Sequence, residues 1–216
     1  MTPIFYIYRM NNLPFNTLGL CAEEIESMHE TYQALKDKHC IQFTGHIDFQ
    51  LSQFDIFKGI PEINLRNSYV IKQENNNDTY ILFIDSNNKT KHDDGSIISL
   101  CNYQTWGLCY LKQDFGRVKI RKETLVDKLS EILFPIELDF EEDLSFSDAF
   151  YVLVNDFKKA KNSINREFRN AVMDLRHEDF FIEIVNHTLI IGNNKPMHYV
   201  NALYIADFIK KVANTF

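Results

Sequence analysis

From Ile136 to Gly192 two hydrophobic periods alternate with almost no spacer, and this tight succession limits the fold more than any other feature of the chain. Ile136 to Phe140 and Ala149 to Val154 read as strands. Asn155 or Asp156 can cap a helix whose apolar stripe is Phe157, Ala160, Ile164, Phe168, Val172 and Leu175, at the three- and four-residue steps of one helical face. Phe180 to Val185 and Thr188 to Ile191 then flank Asn186-His187, a two-residue hairpin signal. An apolar helix near His198 to Ala213 follows, so the expected ending is a βαββα unit.

Upstream, Ile25, Met28, Tyr32 and Leu35 form one stripe on a helix from Cys21 to Lys38. Glu23, Glu24 and Glu26 open it and Lys36 and Lys38 close it, as the helix dipole favours. From Ile41 to Lys122 the helical period disappears. Strands are expected near Ile41 to Phe49, Ser68 to Gln73, Thr79 to Asp85, Ile97 to Lys112 and Arg117 to Arg121, with polar turns at Glu74 to Asp78 and Ser86 to Gly95. Such short connections imply an antiparallel meander. After Lys122 a short helix from Thr124 to Leu133 is expected, stopped by Pro135. The fold class that results is α+β: an antiparallel β meander with an N-terminal helix, followed by the βαββα unit. The composition shift divides the chain into 1–122 and 123–216, and without a Pro/Gly/Ser linker between them the two subdomains are expected to share one core.

The chain has 216 residues, 45% of them hydrophobic, and its 18 Phe and 10 Tyr against 7 Gly describe a packed globule rather than a disordered segment. A net charge of -7 excludes nucleic acid as the expected partner, because phosphate binding rests on clustered Lys and Arg. Cys21, Cys40, Cys101 and Cys109 lack a CxxC pair and read as free thiols of a reducing compartment, Cys40 as a small buried apolar residue. The apolar run Ile4 to Tyr8 has no basic n-region before it and no long h-region, so it reads as a poor signal peptide, and no stretch reaches the roughly 20 apolar residues of a membrane span. A cytoplasmic protein without a cofactor is expected.

Two charged constellations are the candidate sites. Glu137 to Asp148 holds six acidic residues and no basic one; on a strand Glu137, Asp139 and Glu141 would share a face. Paired carboxylates bind divalent cations or act as acid and base, so Asp139, Glu141 and Glu142 are the candidates for catalysis, against the simpler reading of a solvated edge. The following helix carries Lys158, Lys161, Arg166 and Arg169 opposite its apolar stripe, a candidate binding face for an acidic partner or anionic lipid, or a solvated face paired within the chain. His39, Cys40 and His46 are the closest potential metal ligands, at spacings unlike those of zinc sites. Asp85 to Lys89 starts like a calcium loop, but Thr90 stands where glycine belongs. No metal is therefore assigned. Trp106, near Tyr103 and Gln104, is a core residue or a pocket wall.

The strings Phe54-Asp55-Ile56-Phe57-Lys58-Gly59, Ile63-Asn64-Leu65, Tyr103-Gln104-Thr105, Asp139-Phe140 and Phe146 to Val152 resemble a widespread bacterial domain family of no assigned activity. That family has an L-F-x-x-G…N motif before two strands, a Gln-Thr pair in the next, and a Phe-Ser…Phe/Tyr-x-Val strand opening a βαββα ending. Its members often carry membrane helices ahead of the domain, and no such helix occurs here. The resemblance implies a fold pattern and no chemistry. The leading expectation is a non-enzymatic protein-interaction domain engaging a protein partner through a sheet edge or the Lys158/Arg169 face. The alternatives are a metal-assisted hydrolase built on Asp139, Glu141 and Glu142, and peripheral binding to anionic lipid through the basic helix.

Overall fold

Alternating apolar residues, interrupted by turns, build strands β1 (Gln42–Phe43), β2 (Glu62–Ile71), β3 (Thr79–Lys91), β4 (Ile97–Tyr110), β5 (Arg117–Lys122), β6 (Ile136–Glu137), β7 (Phe150–Val154), β8 (Phe181–Val185) and β9 (Thr188–Gly192). Helical stripes give α1 (Ala22–His39), α2 (Leu144–Ser147), α3 (Phe157–Ser163), α4 (Arg166–Met173) and α5 (Tyr199–Thr215). The computed structural model describes residues 13–45, 47–58, 60, 62–73, 77–91, 97–122 and 136–216. The helix expected from Thr124 to Leu133 and the possible ligand His46 lie outside them.

The strands form one sheet in the order β1-β2-β3-β4-β9-β8-β5-β7-β6, each paired antiparallel to its neighbours. The fold is α+β, with the expected meander in β1 to β4. In the second half β5 lies between β7 and β8. Both are antiparallel to β5 and hence parallel to each other, so their link must cross a face of the sheet, and α3 and α4 supply that crossover. The β8–β9 hairpin turns at Asn186, whose φ of 55° is left-handed, a conformation that asparagine tolerates.

One face of the sheet is buried under the helices. Tyr69, Phe83, Val118, Ile120, Val152 and Ile184 contribute to a core shared with Met28 of α1, Phe168 of α4 and Ile205 of α5. Gly107 on β4 permits the contact with α5, because a Cβ there would lie 2.4 Å from Ile205 Cγ2. Among the described residues the other face carries no α-helix. It holds a smaller cluster of Leu82, Ile84, Trp106, Leu108 and Ile190, covered by Phe49, Phe54 and Phe57 from the segment between β1 and β2. That segment includes the motif string at Phe54, in which two 3-10 turns, Leu51–Gln53 and Asp55–Phe57, aim Phe54 and Phe57 at the sheet.

Several elements differ from the pattern in the sequence. The basic helix is two helices: Asp156 accepts a hydrogen bond from Lys159 N–H (3.0 Å) to cap α3, and Asn165 accepts one from Phe168 N–H (3.0 Å) to cap α4. The Asn165 side chain takes a backbone N–H that a continuous helix would bond internally, and Ser163 Oγ donates to the distant Asp114 O (3.3 Å), so the chain breaks at Ile164. The acidic strand ends at Glu137. Beyond it Phe140 N–H donates to Ser147 Oγ at 2.9 Å and the Phe140 ring packs edge-on against Phe146, which folds Glu141 and Glu142 into a turn before α2. Phe146 and Ser147 are accordingly helical, not the opening of a strand. Strand β3 runs on to Lys91 through part of the expected loop, because it pairs with β4 as far as Ile97. Cys40 is exposed, as the left-handed residue that ends α1.

His39 closes α1 against α5 and is buried, its Nε2 lying 3.4 Å from Asp207 Oδ1. Burial pushes its imidazole below the usual range; Asp207 opposes this, and Lys210 and Lys38 reinforce it. The unfolded chain therefore binds the proton more tightly, at the ordinary pKa of about 6.5. Stability is full above that value and falls as pH drops toward the folded pKa. Urea midpoints at about pH 7.5 and about pH 5.5 are expected to differ less in His39→Gln than in the unaltered protein. An equal difference in both would remove His39 as the source.

Candidate functional site

On β5, Val118 and Ile120 point into the helical core, so the pleat places Arg117, Lys119 and Arg121 on the helix-free face. The register sets Lys119 opposite Glu183 of β8 and Leu153 of β7, and Arg121 opposite Tyr151. Above this row sits the 3-10 turn Asp55–Phe57. Glu183 accepts hydrogen bonds from Asp55 N–H (2.9 Å) and Ile56 N–H (3.0 Å), satisfying donors that a turn's first residues cannot satisfy internally. Arg117 Nη1 lies 3.2 Å from Glu183 Oε1, 3.1 Å from Asp55 Oδ1 and 3.1 Å from Gln53 O. Lys119 Nζ reaches Asp55 Oδ2 at 2.7 Å, and Lys58 also pairs with Asp55. The turn is thus bolted to the sheet by charge.

Burial pushes the Glu183 carboxyl above its usual range, while the two backbone donors and Lys119 pull it back. At Asp55 the upward push of partial burial is outweighed by hydrogen bonds from Lys119 and Lys58 and the field of Arg117, which hold its carboxyl low. Among the described residues no hydroxyl or thiol donates to either carboxylate, so the cluster contains no nucleophile–base pair. Its chemistry is that of a clamp.

Beside the clamp a cleft opens on the helix-free face, lined by Ile56, Trp106, Leu153, Phe181 and Ile190 with Tyr151, Lys119, Arg121 and Glu183. Its empty volume, counting the mouth, is about 550 Å³. The Trp106 indole forms part of its floor, only 1% exposed, with Nε1 donating to Gln104 Oε1 at 3.0 Å and Phe57 edge-on at 4.9 Å. Gly192 makes room for it: a Cβ there would lie 2.3 Å from the indole. Trp106 therefore satisfies both readings of it, core residue and pocket wall. Tyr103 is on the opposite face, under the Arg66 guanidinium.

The carboxylates singled out in the sequence lie elsewhere. Asp139 and Glu141 line an open groove at the β6–β7 end of the sheet with Glu137, Ser147 and Asp148. Glu142 turns away, its Oε1 3.4 Å from Arg169 Nη1. Among the described residues no three His, Cys, Asp or Glu side chains gather at metal-binding distance.

The four basic residues also separate. Lys158, Lys161 and Arg166 are exposed, Lys161 lying over the half-exposed ring of Phe157. Arg169 is 4% exposed. It donates from Nε to Asp143 Oδ2 (2.8 Å) and from Nη1 to Ile164 O (3.1 Å), with its guanidinium 4.5 Å above the Phe140 ring. It belongs to the packing between α4 and the acidic turn, not to a binding face shared with the other three. Apart from Trp106 the cleft residues went unmarked in the sequence, although Arg117-Val118-Lys119-Ile120-Arg121 carries a visible sign: three cations alternating with buried apolar residues.

The chain is similar in fold to the crystal structure of the mycobacterial trehalose monomycolate transport factor A, TtfA, with a TM-score of 0.55 at 8% sequence identity, over 86% of this chain and 92% of that chain. Such a likeness is one of fold alone. No family model and no curated protein sequence matches the chain. No helix among the described residues is long and apolar enough to cross a membrane.

Proposed function

We propose that this chain is a non-enzymatic binding domain whose ligand sits in the cleft on the helix-free face of the sheet. The observation that carries the reading is the construction of that cleft: an apolar and aromatic floor with a few charged groups at its rim, walled by a turn that the Glu183 clamp holds in place. The charges of the clamp are consumed in positioning Ile56 rather than arranged around a reacting atom. A solved protein of similar fold carries the name of a transport factor. Lys158, Lys161 and Arg166 are exposed on α3 and α4, outside the lining of the cleft.

A screen of small organic molecules by ligand-observed NMR tests this. Binders are expected to lose at least about tenfold in affinity when the cleft is filled by Leu153→Trp, and to be unaffected when Lys158, Lys161 and Arg166 are all changed to Glu. Binders sensitive to the triple reversal and indifferent to Leu153→Trp would contradict the reading.

A further inference from the structure

The Arg121 guanidinium is unusually poorly served. Among the described residues its buried Nη1 has no hydrogen-bond partner, and the guanidinium lies over the Tyr151 ring, 5.0 Å from its centroid. The neighbouring carboxylates are committed: Asp55 to Lys119, Arg117 and Lys58, Glu183 to the turn and Arg117. Glu137 and Asp139 stand near the Tyr151 hydroxyl, and among the described residues neither forms an ion pair with Arg121. Buried guanidinium nitrogens are normally paired, and leaving one unpaired is costly enough to demand an explanation. An anionic ligand group supplies one.

We propose that the cleft binds a small organic monocarboxylate, with its carboxylate on Arg121 and its apolar body against Trp106, Leu153 and Phe181. This rests on the cleft being the binding site. Three features select the ligand class. The charged side chains lining the cleft are Lys119, Arg121 and Glu183, two cations against one carboxylate, which leaves one positive charge and suits a monoanion. The planar guanidinium fork matches a carboxylate, two N–H groups to two oxygens. The rest of the lining is apolar or aromatic, so the ligand's remainder is hydrocarbon or an aromatic ring. A polypeptide is less suited, since β5, β7, β8 and β9 each have neighbours on both sides and offer no free strand edge for main-chain pairing.

The test uses hexanoate, 1-hexanol and hexylammonium, titrated into the full chain and followed by the fluorescence of Trp106, its single tryptophan. Hexanoate is expected to saturate at a concentration at least about tenfold below the other two, and Arg121→Gln to abolish that preference, with Arg121→Lys intermediate. The comparison of ligands on the unaltered chain decides the matter even if Arg121→Gln does not fold. Equal binding of hexanol and hexanoate, or an Arg121→Gln titration identical to the unaltered chain, overturns the carboxylate assignment and leaves the cleft as a binding site. No response to any of the three overturns both. A peptide acetyl-Leu-Glu-Leu-amide that binds more tightly than hexanoate assigns the cleft to a polypeptide and overturns the small-molecule reading.

Discussion

Glu183→Ala is expected to destabilise the protein by about 3–5 kcal/mol, the range for removing one partner of a buried charged cluster. The side chain is 3% exposed and accepts from two backbone donors, Asp55 N–H and Ile56 N–H, while pairing with Arg117. Alanine leaves both donors without this acceptor and takes one carboxylate partner from Arg117. Glu183→Gln keeps one acceptor oxygen and loses the charge, so its loss is expected to be smaller, about 1–3 kcal/mol. Denaturant unfolding measures the totals. Amide exchange locates them: in either variant protection is expected to fall first at Asp55 and Ile56, since Glu183 is what ties that turn to β8. A Glu183→Ala protein within about 0.5 kcal/mol of the original would mean that the clamp does not hold the turn.

Arg169→Glu is expected to be as damaging, again about 3–5 kcal/mol. The substitution places a carboxylate in the buried position that now donates to Asp143 and Ile164 O, close to Glu142 and against the face of Phe140. Three of the interactions change from attraction to repulsion, and the ring quadrupole changes sign of effect as well. Lys158→Glu, Lys161→Glu and Arg166→Glu, on exposed positions, are each expected to stay within about 0.5 kcal/mol. Thermal or urea unfolding of the four variants decides it. Equal, small effects at all four positions would restore Arg169 to a solvated face.

That contrast shows where the sequence was readable. Local periods placed α1 within a residue of its ends, and the hairpin at Asn186-His187 followed from turn chemistry. Ala160, Ile164, Phe168, Val172 and Leu175 of the stripe are buried as its spacing implied, whereas its first member, Phe157, is 43% exposed. The break at Ile164 was hidden, because an apolar stripe continues across two helices in line as well as along one. Arg169 looked like its exposed neighbours because a helical wheel records which face a residue occupies and not what stands opposite; here an acidic turn and Phe140 do.

The cleft was less legible still. Lys119 and Glu183 meet across a pairing of β5 with β8, and Asp55 joins them from a turn more than 60 residues upstream of Lys119. Nothing in a linear pattern announces that β5 enters between β8 and β7 rather than beside β4. Glu183 sits between buried Ile182 and Ile184, which on a strand reads as a wet position. The turn at Asp55, bonded to Glu183 from the helix-free face, makes that position dry.

The location of the binding surface is tested most directly by a two-dimensional amide and indole NMR spectrum recorded with and without the binders found in the screen. The account predicts that the perturbed signals gather at Ile56, Trp106, Lys119, Arg121, Leu153 and Phe181, with the single indole signal among them. Signals that move instead around Lys158, Lys161 and Arg166, or along the groove of Asp139 and Glu141, would contradict it.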